Sequence, residues 1–263
     1  MSTPVQQLFK LDGKVALITG GSRGLGLQIA EALGEAQARV FITARKSVDL
    51  EAAAVQLRAK DIAVEWIAAD VSDADQAREA IDTAMARFGA IDILVNNAGA
   101  TWSAPAEDHP LEAWDKVMSL NTRSVFVISQ AVARASMIPR RSGRIINVAS
   151  IAGLGGNPPE MTTISYNTSK GAVVNFTRAL AAEWGKYGIT VNALSPGFFP
   201  SKMSKGLLSK WGVDAVTSHA PLKRLGDDDD LKGAALLFAS AAGKHITGQI
   251  LAVDGGVTCV VGG

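Results

Sequence analysis

Seven short apolar runs, each separated from the next by a longer amphipathic segment, restrict the fold of this chain more than any other feature. The runs cover residues 15–18, 39–43, 63–68, 91–95, 143–149, 189–194 and 249–253. Most are continuously apolar rather than alternating, the pattern of strands covered on both faces in a parallel sheet. Between them, residues 25–36, 47–60, 72–88, 110–137, 165–187 and 227–240 read as helices, the fourth with a break near Leu120 and Asn121. The third opens on Ser72, Asp73 and Asp75, residues suited to capping and to the helix dipole. Regular β–α alternation predicts an α/β, doubly wound, seven-stranded parallel sheet with helices on both faces. No linker, repeat or biased segment divides it, so residues 1–263 read as a single domain.

Composition narrows the function. Twenty-six basic and 25 acidic residues leave a formal charge of +1, so no global field draws the chain to nucleic acid or an acidic membrane. No run of apolar residues reaches the length of a membrane span, and residues 1–10 lack the pattern of a signal peptide. Cys259 is the only cysteine, which excludes internal disulfides. His109, His219 and His245 show no ligand spacing, so no metal site is expected. A cytoplasmic protein fits these features. The acidic run from Asp227 to Asp230 reads as the first turn of the last helix rather than as a cation site.

The first run ends in Thr19-Gly20-Gly21-Ser22-Arg23-Gly24-Leu25-Gly26, which opens a helix. Glycines between a strand and a helix allow a tight turn and let a pyrophosphate approach the backbone, with the helix N-terminus supplying N–H donors. Further along, Tyr166 and Lys170 lie four residues apart in a predicted helix and so share a face. A free phenol with a pKa near ~10 is a poor proton carrier at neutral pH. A neighbouring ammonium favours the phenolate, which suits the pair to acid/base work on an alcohol or carbonyl.

Taken in order, the glycine turn, Asn96-Asn97-Ala98-Gly99, Asn121, Ser150 and Tyr166…Lys170 resemble the short-chain dehydrogenase/reductase family over nearly the whole chain, from Leu11 to Val257. Within it, the chain is similar to 3-oxoacyl-carrier-protein reductases, gluconate 5-dehydrogenase-like enzymes and rhamnolipid-type ketoacyl reductases. The resemblance implies a Rossmann fold and a catalytic set of Asn121, Ser150, Tyr166 and Lys170. Tyr166 would exchange a proton with the substrate oxygen, and Ser150 would polarise that oxygen. Lys170 would lower the phenol pKa and hold the nicotinamide ribose. Asn121 would position a water of a proton relay by its side chain and local backbone.

The resemblance also implies a nicotinamide cofactor held by Gly20, Ser22, Arg23, Gly24, Leu25 and Gly26. Asp70 and Val71 would meet the adenine, and Asn97, Ala98 and Gly99 would border the adenosine ribose. Pro196, Gly197, Phe199 and Ser201 would flank the nicotinamide, together with Tyr166 and Lys170. At the end of the second strand, Ala44 stands where NAD-using relatives carry aspartate, and Arg45 follows. With Arg23 it offers two guanidiniums to a 2′-phosphate, so NADP(H) is expected over NAD(H).

Substrate features lie after each motif. Ser150 and Tyr166 are sixteen positions apart, a longer gap than is usual in the family, so residues 155–161 read as a loop insertion stiffened by Pro158 and Pro159. Residues 198–221 read as a lid bearing Phe198, Phe199, Met203, Leu207, Leu208 and Trp211, with Trp102 as a further wall. Apolar lining favours a hydrophobic ketone or 3-oxoacyl substrate, with a gluconate-type sugar or sugar-acid dehydrogenase as the alternative. A nucleotide-sensing scaffold on the same fold is the reading from another class. The segments 121–137 and 165–187 resemble the family's helical dimer interface and imply a homotetramer, with residues 257–263 at another interface.

Overall fold

The computed structural model describes residues 2–260, so the last part of the 257–263 interface segment lies outside the described residues. In chain order the elements are α1 (Val5–Leu8), β1 (Val15–Thr19), α2 (Gly24–Glu35), β2 (Arg39–Ala44), α3 (Ser47–Arg58), β3 (Val64–Ala68), α4 (Ala74–Phe88) and β4 (Ile93–Asn96). Then follow α5 (Leu111–Met118), α6 (Ser124–Val132), α7 (Ile138–Arg140), β5 (Gly143–Val148), α8 (Ile164–Trp184) and β6 (Ile189–Pro196). Helices α9 (Lys205–Trp211), α10 (Val213–Thr217) and α11 (Lys232–Ala239) precede β7 (Ile250–Val253).

All seven strands pair in parallel, in the order β3-β2-β1-β4-β5-β6-β7. The order reverses between β1 and β4, so their C-terminal ends border the crevice in which such sheets bind ligands. Strand pleating divides the core in two. Ala16, Ile18 and Ile42 pack with Ile29 and Leu33 of α2, Leu50 and Leu57 of α3, and Phe238 of α11. Leu17, Phe41 and Leu94 face the other way, onto Ile81 of α4, Ile128 and Val132 of α6, and Leu180 of α8. Each such Leu or Ile contributes about 1.5–3 kcal/mol by its burial, which fixes the strand ends that carry the site.

Three boundaries depart from the sequence pattern. The expected break near Asn121 is a π-helical turn, Ser119–Arg123, joining α5 to α6, and a second π turn covers Ala133–Met137. The chain widens by one residue without leaving the helix. β4 begins at Ile93, because Ile91 is held instead by Ser136: its N–H donates to Ser136 Oγ at 2.8 Å. The last helix starts only at Lys232, and its first turn holds no acid. Asp227 and Asp230 accept from nearby backbone N–H groups, at 3.0 Å from Asp229 and 2.8 Å from Asp227. Such local side-chain bonding competes with helix. The acids also bind across elements, Asp228 to Gln28 at 2.7 Å and Asp230 to Arg224 at 2.5 and 2.8 Å.

Candidate active site

The glycine turn is built for close approach. A Cβ on Gly26 would lie 2.4 Å from both the Gly20 carbonyl oxygen and Asn97 Nδ2. Gly24 has φ +54, and a Cβ there would meet nothing within 4 Å, so this residue is needed for its backbone conformation and faces open space. Thr19 Oγ1 accepts from the N–H groups of Asn97 and Ala98, both at 3.0 Å, and Asn97 Nδ2 donates to Thr19 O at 2.9 Å. The loop after β4 thereby braces the turn after β1. The α2 N-terminus receives no side-chain cap from Arg23. Its first N–H groups at Gly24, Leu25 and Gly26 thus remain donors for an anion, and the cradle fits a dinucleotide pyrophosphate.

Around the adenosine end the expected residues divide. Arg23 and Arg45 are both exposed, and Arg23 Nη1 donates to Asp49 Oδ2 at 3.1 Å. Asp70 Oδ1 accepts from Ser72 N and Oγ, at 3.0 and 2.7 Å, which closes the turn into α4. The Val71 side chain packs into the core.

The four expected catalytic residues come from three elements. Ser150 follows β5, and its Oγ accepts from Ala152 N at 3.2 Å. Tyr166 and Lys170 occupy consecutive turns of α8, and Asn121 sits in the first π turn. A Cβ on Gly99 would lie 3.4 Å from Asn121 Oδ1 and 3.7 Å from Lys170 Nζ, so these groups converge on the loop after β4. Lys170 is only 5% exposed, and Nζ donates to the Val148 carbonyl at 2.7 Å. It stands 5.7 Å from the centroid of the Tyr166 ring.

Burial pushes the Tyr166 phenol above its ordinary pKa, with the Ser150 side chain acting in the opposite sense. The Lys170 ammonium donates to Val148, and burial brings Lys170 down to about 8. Asn121 is 1% exposed and both ends of its side chain are hydrogen-bonded. Oδ1 accepts from Ala100 N, and Nδ2 donates to Ala100 O and to Ser169 Oγ, all at 2.9 Å.

Several contributors escape sequence reasoning. Ser169 Oγ donates to the Tyr166 carbonyl at 2.7 Å and links it to Asn121. His109, which shows no ligand spacing in the sequence, has Nε2 2.9 Å from Ser165 Oγ, beside Tyr166 in sequence. Gly153 packs against the α8 backbone: a Cβ there would be 2.5 Å from the Lys170 carbonyl carbon.

On the nicotinamide side, Gly197 N donates to Val253 O at 2.9 Å, and Pro196 pairs with Val253 in the sheet. The Phe199 side chain is 6% exposed and packs into the core, its ring against Gly226. Ser201 Oγ accepts from Ser204 N at 3.1 Å within a serine turn. Met203 is exposed, while Leu207, Leu208 and Trp211 of the same segment are half-buried. The loop expected over 155–161 is tied to α8: Asn157 Nδ2 donates to Thr163 Oγ1 at 2.9 Å and Asn167 Oδ1 at 3.1 Å. It also leans on the segment after β4, where Ala104 N donates to Thr162 O at 3.0 Å.

Residues 14–211 match the family model described as short chain dehydrogenase. Gluconate 5-dehydrogenase of Gluconobacter oxydans is 38% identical over 259 residues, covering 98% of this chain and 99% of that protein. The rhamnolipids biosynthesis 3-oxoacyl-[acyl-carrier-protein] reductase of Pseudomonas aeruginosa is 37% identical, covering 94% and 97%. Among solved structures, a gluconate 5-dehydrogenase from Burkholderia cenocepacia in complex with NADP and tartrate superposes with a TM-score of 0.92. That protein is 40% identical, with 98% of this chain and 100% of the other covered.

Proposed function

The chain belongs to the short-chain dehydrogenase family, and on that premise we propose that it transfers hydride reversibly between NADP(H) and a ketone or secondary alcohol. It is an oxidoreductase acting on CH–OH groups. The observation that carries the reading is the approach of Asn121 and Lys170, the latter one turn from Tyr166 on α8, to the loop that also braces the glycine turn.

When bound, the nicotinamide supplies or accepts the hydride, which leaves the protein to bind, orient and move a proton. The α2 N-terminus and the backbone from Gly20 to Gly26 hold the pyrophosphate, with Ser22 beside it. Asp70, the Val71 backbone and Asn97 to Gly99 border the adenosine. Pro196, Gly197 and Ser201 flank the nicotinamide. Tyr166 Oη gives its proton to the carbonyl oxygen in reduction and takes one from the alcohol in oxidation. Ser150 Oγ donates to the same oxygen and stabilises the charge that develops on it. The buried Lys170 ammonium supplies positive charge beside the ring, and the Asn121 carbonyl holds the replenishing water.

The cofactor reading rests on Ala44 at the end of β2 and on Arg23 and Arg45 beside it. Solved relatives carry NADP, as in the Burkholderia complex. Comparing kcat/KM for NADPH and NADH tests it, and a preference for NADH contradicts it.

Exposed Trp102, Leu154 and Met203 favour a hydrophobic ketone or 3-oxoacyl substrate. A second reading, a sugar or sugar-acid dehydrogenase, is supported by the names of the gluconate relatives and by the hydroxyls of Ser103 and Thr162, 3.1 Å apart near the rim. A panel of aryl ketones, 3-oxoacyl thioesters and keto-sugar acids separates them by kcat/KM. In assembly the reading is a cytoplasmic homotetramer built on α6 and α8, where exposed Phe126 stands edge-on to Phe176.

A further inference from the structure

Asp49 lies in the first turn of α3, where the helix dipole favours a carboxylate. Among the described residues the only hydrogen bond of its carboxylate is with Arg23, at 3.1 Å. It is not a helix cap, since no α3 backbone N–H donates to it. Arg23 immediately precedes α2 in the glycine turn. Arg45, at the end of β2, has no carboxylate partner among the described residues. Of the two guanidiniums beside the adenosine end, one is therefore neutralised by a carboxylate of the same chain.

A 2′-phosphate and the Asp49 carboxylate want the same donor, and the two anions repel each other at close range. A ribose 2′-hydroxyl carries no charge and meets no such competition. The pair is open to water, the side chains being 55% and 35% exposed, and an exposed ion pair is weak enough to be displaced.

Resting on the NADP(H) reading above, we propose that Asp49 is a specificity-determining residue: as the counter-ion of Arg23 it weakens 2′-phosphate capture and narrows the discrimination between NADP(H) and NAD(H). The effect is moderate because the pair is exposed. Arg45 keeps the phosphate preference in place, and Asp49 sets its size.

Isothermal titration of the full chain with 2′,5′-ADP and with 5′-AMP tests this without turnover. Wild type is expected to bind 2′,5′-ADP more tightly. D49N should tighten 2′,5′-ADP by about two- to fivefold, the range that the strength of an exposed pair allows. Binding of 5′-AMP and the thermal midpoint should stay as in wild type. In an R23Q background the same D49N change should have no effect, since the contact is then already gone. Unchanged or weaker 2′,5′-ADP binding in D49N overturns the proposal, as does a gain that persists without Arg23. If neither wild type nor D49N prefers 2′,5′-ADP, the NADP(H) reading itself fails, and the proposal with it.

Discussion

The side chain of Asn121 closes two hydrogen bonds with Ala100, Oδ1 accepting from its N–H and Nδ2 donating to its carbonyl, each at 2.9 Å. An amide does both without a change of protonation. Its Nδ2 also reaches Ser169, whose hydroxyl donates to the Tyr166 carbonyl, so one side chain ties the loop after β4 to the turn that carries the phenol.

Replacing it should register in folding as well as in turnover. Asn121→Ala leaves buried partners unpaired and is expected to cost about 1–3 kcal/mol in denaturant unfolding, with a fall in kcat. Asn121→Asp should be worse, since it loses the donors and buries a charge. Wild-type stability in both variants would show that the anchoring is immaterial.

Gly153 makes a steric prediction. Its Cβ would press on the carbonyl carbon and oxygen of Lys170, at 2.5 and 2.7 Å, and backbone atoms in a helix cannot swing aside. Gly153→Ala should cost about 1–3 kcal/mol by overpacking. Because Ser150 lies three residues away, kcat should drop more than cofactor affinity does. Thermal unfolding together with steady-state kinetics reads both, and a silent substitution refutes the packing argument.

The loop before α8 should govern substrate choice alone. Asn157→Ala removes the amide that holds it to Thr163 and Asn167. The ratio of kcat/KM between a bulky and a small ketone should change severalfold while the Kd for NADPH stays constant. A shift in NADPH affinity with no change in that ratio would count against the loop as a substrate rim.

Lys170 sets a pH window. Its pKa falls from 10.5 to about 8 on burial, so the folded protein loses this charge as pH rises through about 8. The unfolded chain keeps the proton over the next units, and stability therefore rises with pH across that span. Relative to Lys170→Met, the wild type should gain about 1–3 kcal/mol between pH 8 and pH 10. In the same range kcat/KM for NADPH should fall, as the ammonium that meets the ribose is lost. Parallel stability curves for the two proteins would place the lysine pKa elsewhere.

The sequence pattern exposes the sheet because continuous apolar runs have one stable destination, and the glycine turn because its spacing reports a backbone need. What it hides are contacts set by tertiary neighbours. His109 meets Ser165, and Asn121 meets Ser169, across separations without any periodic signal. Phe199 reads as a lid aromatic but is core, because Gly226 leaves room for its ring. The charge beside Tyr166 depends on where the flexible stem of Lys170 ends, and Val148 decides that. The acids at 227–230 look like a helix start until their side chains are seen to bond locally and across to Gln28 and Arg224.

The claim on which the rest depends is that the Tyr166 hydroxyl carries the proton. Its direct test is kcat for ketone reduction by Tyr166→Phe, beside the Kd for NADPH from fluorescence titration. The account predicts a loss of about 10²–10⁴-fold in kcat with NADPH affinity nearly unchanged. Turnover at the wild-type rate in the phenylalanine variant would contradict it.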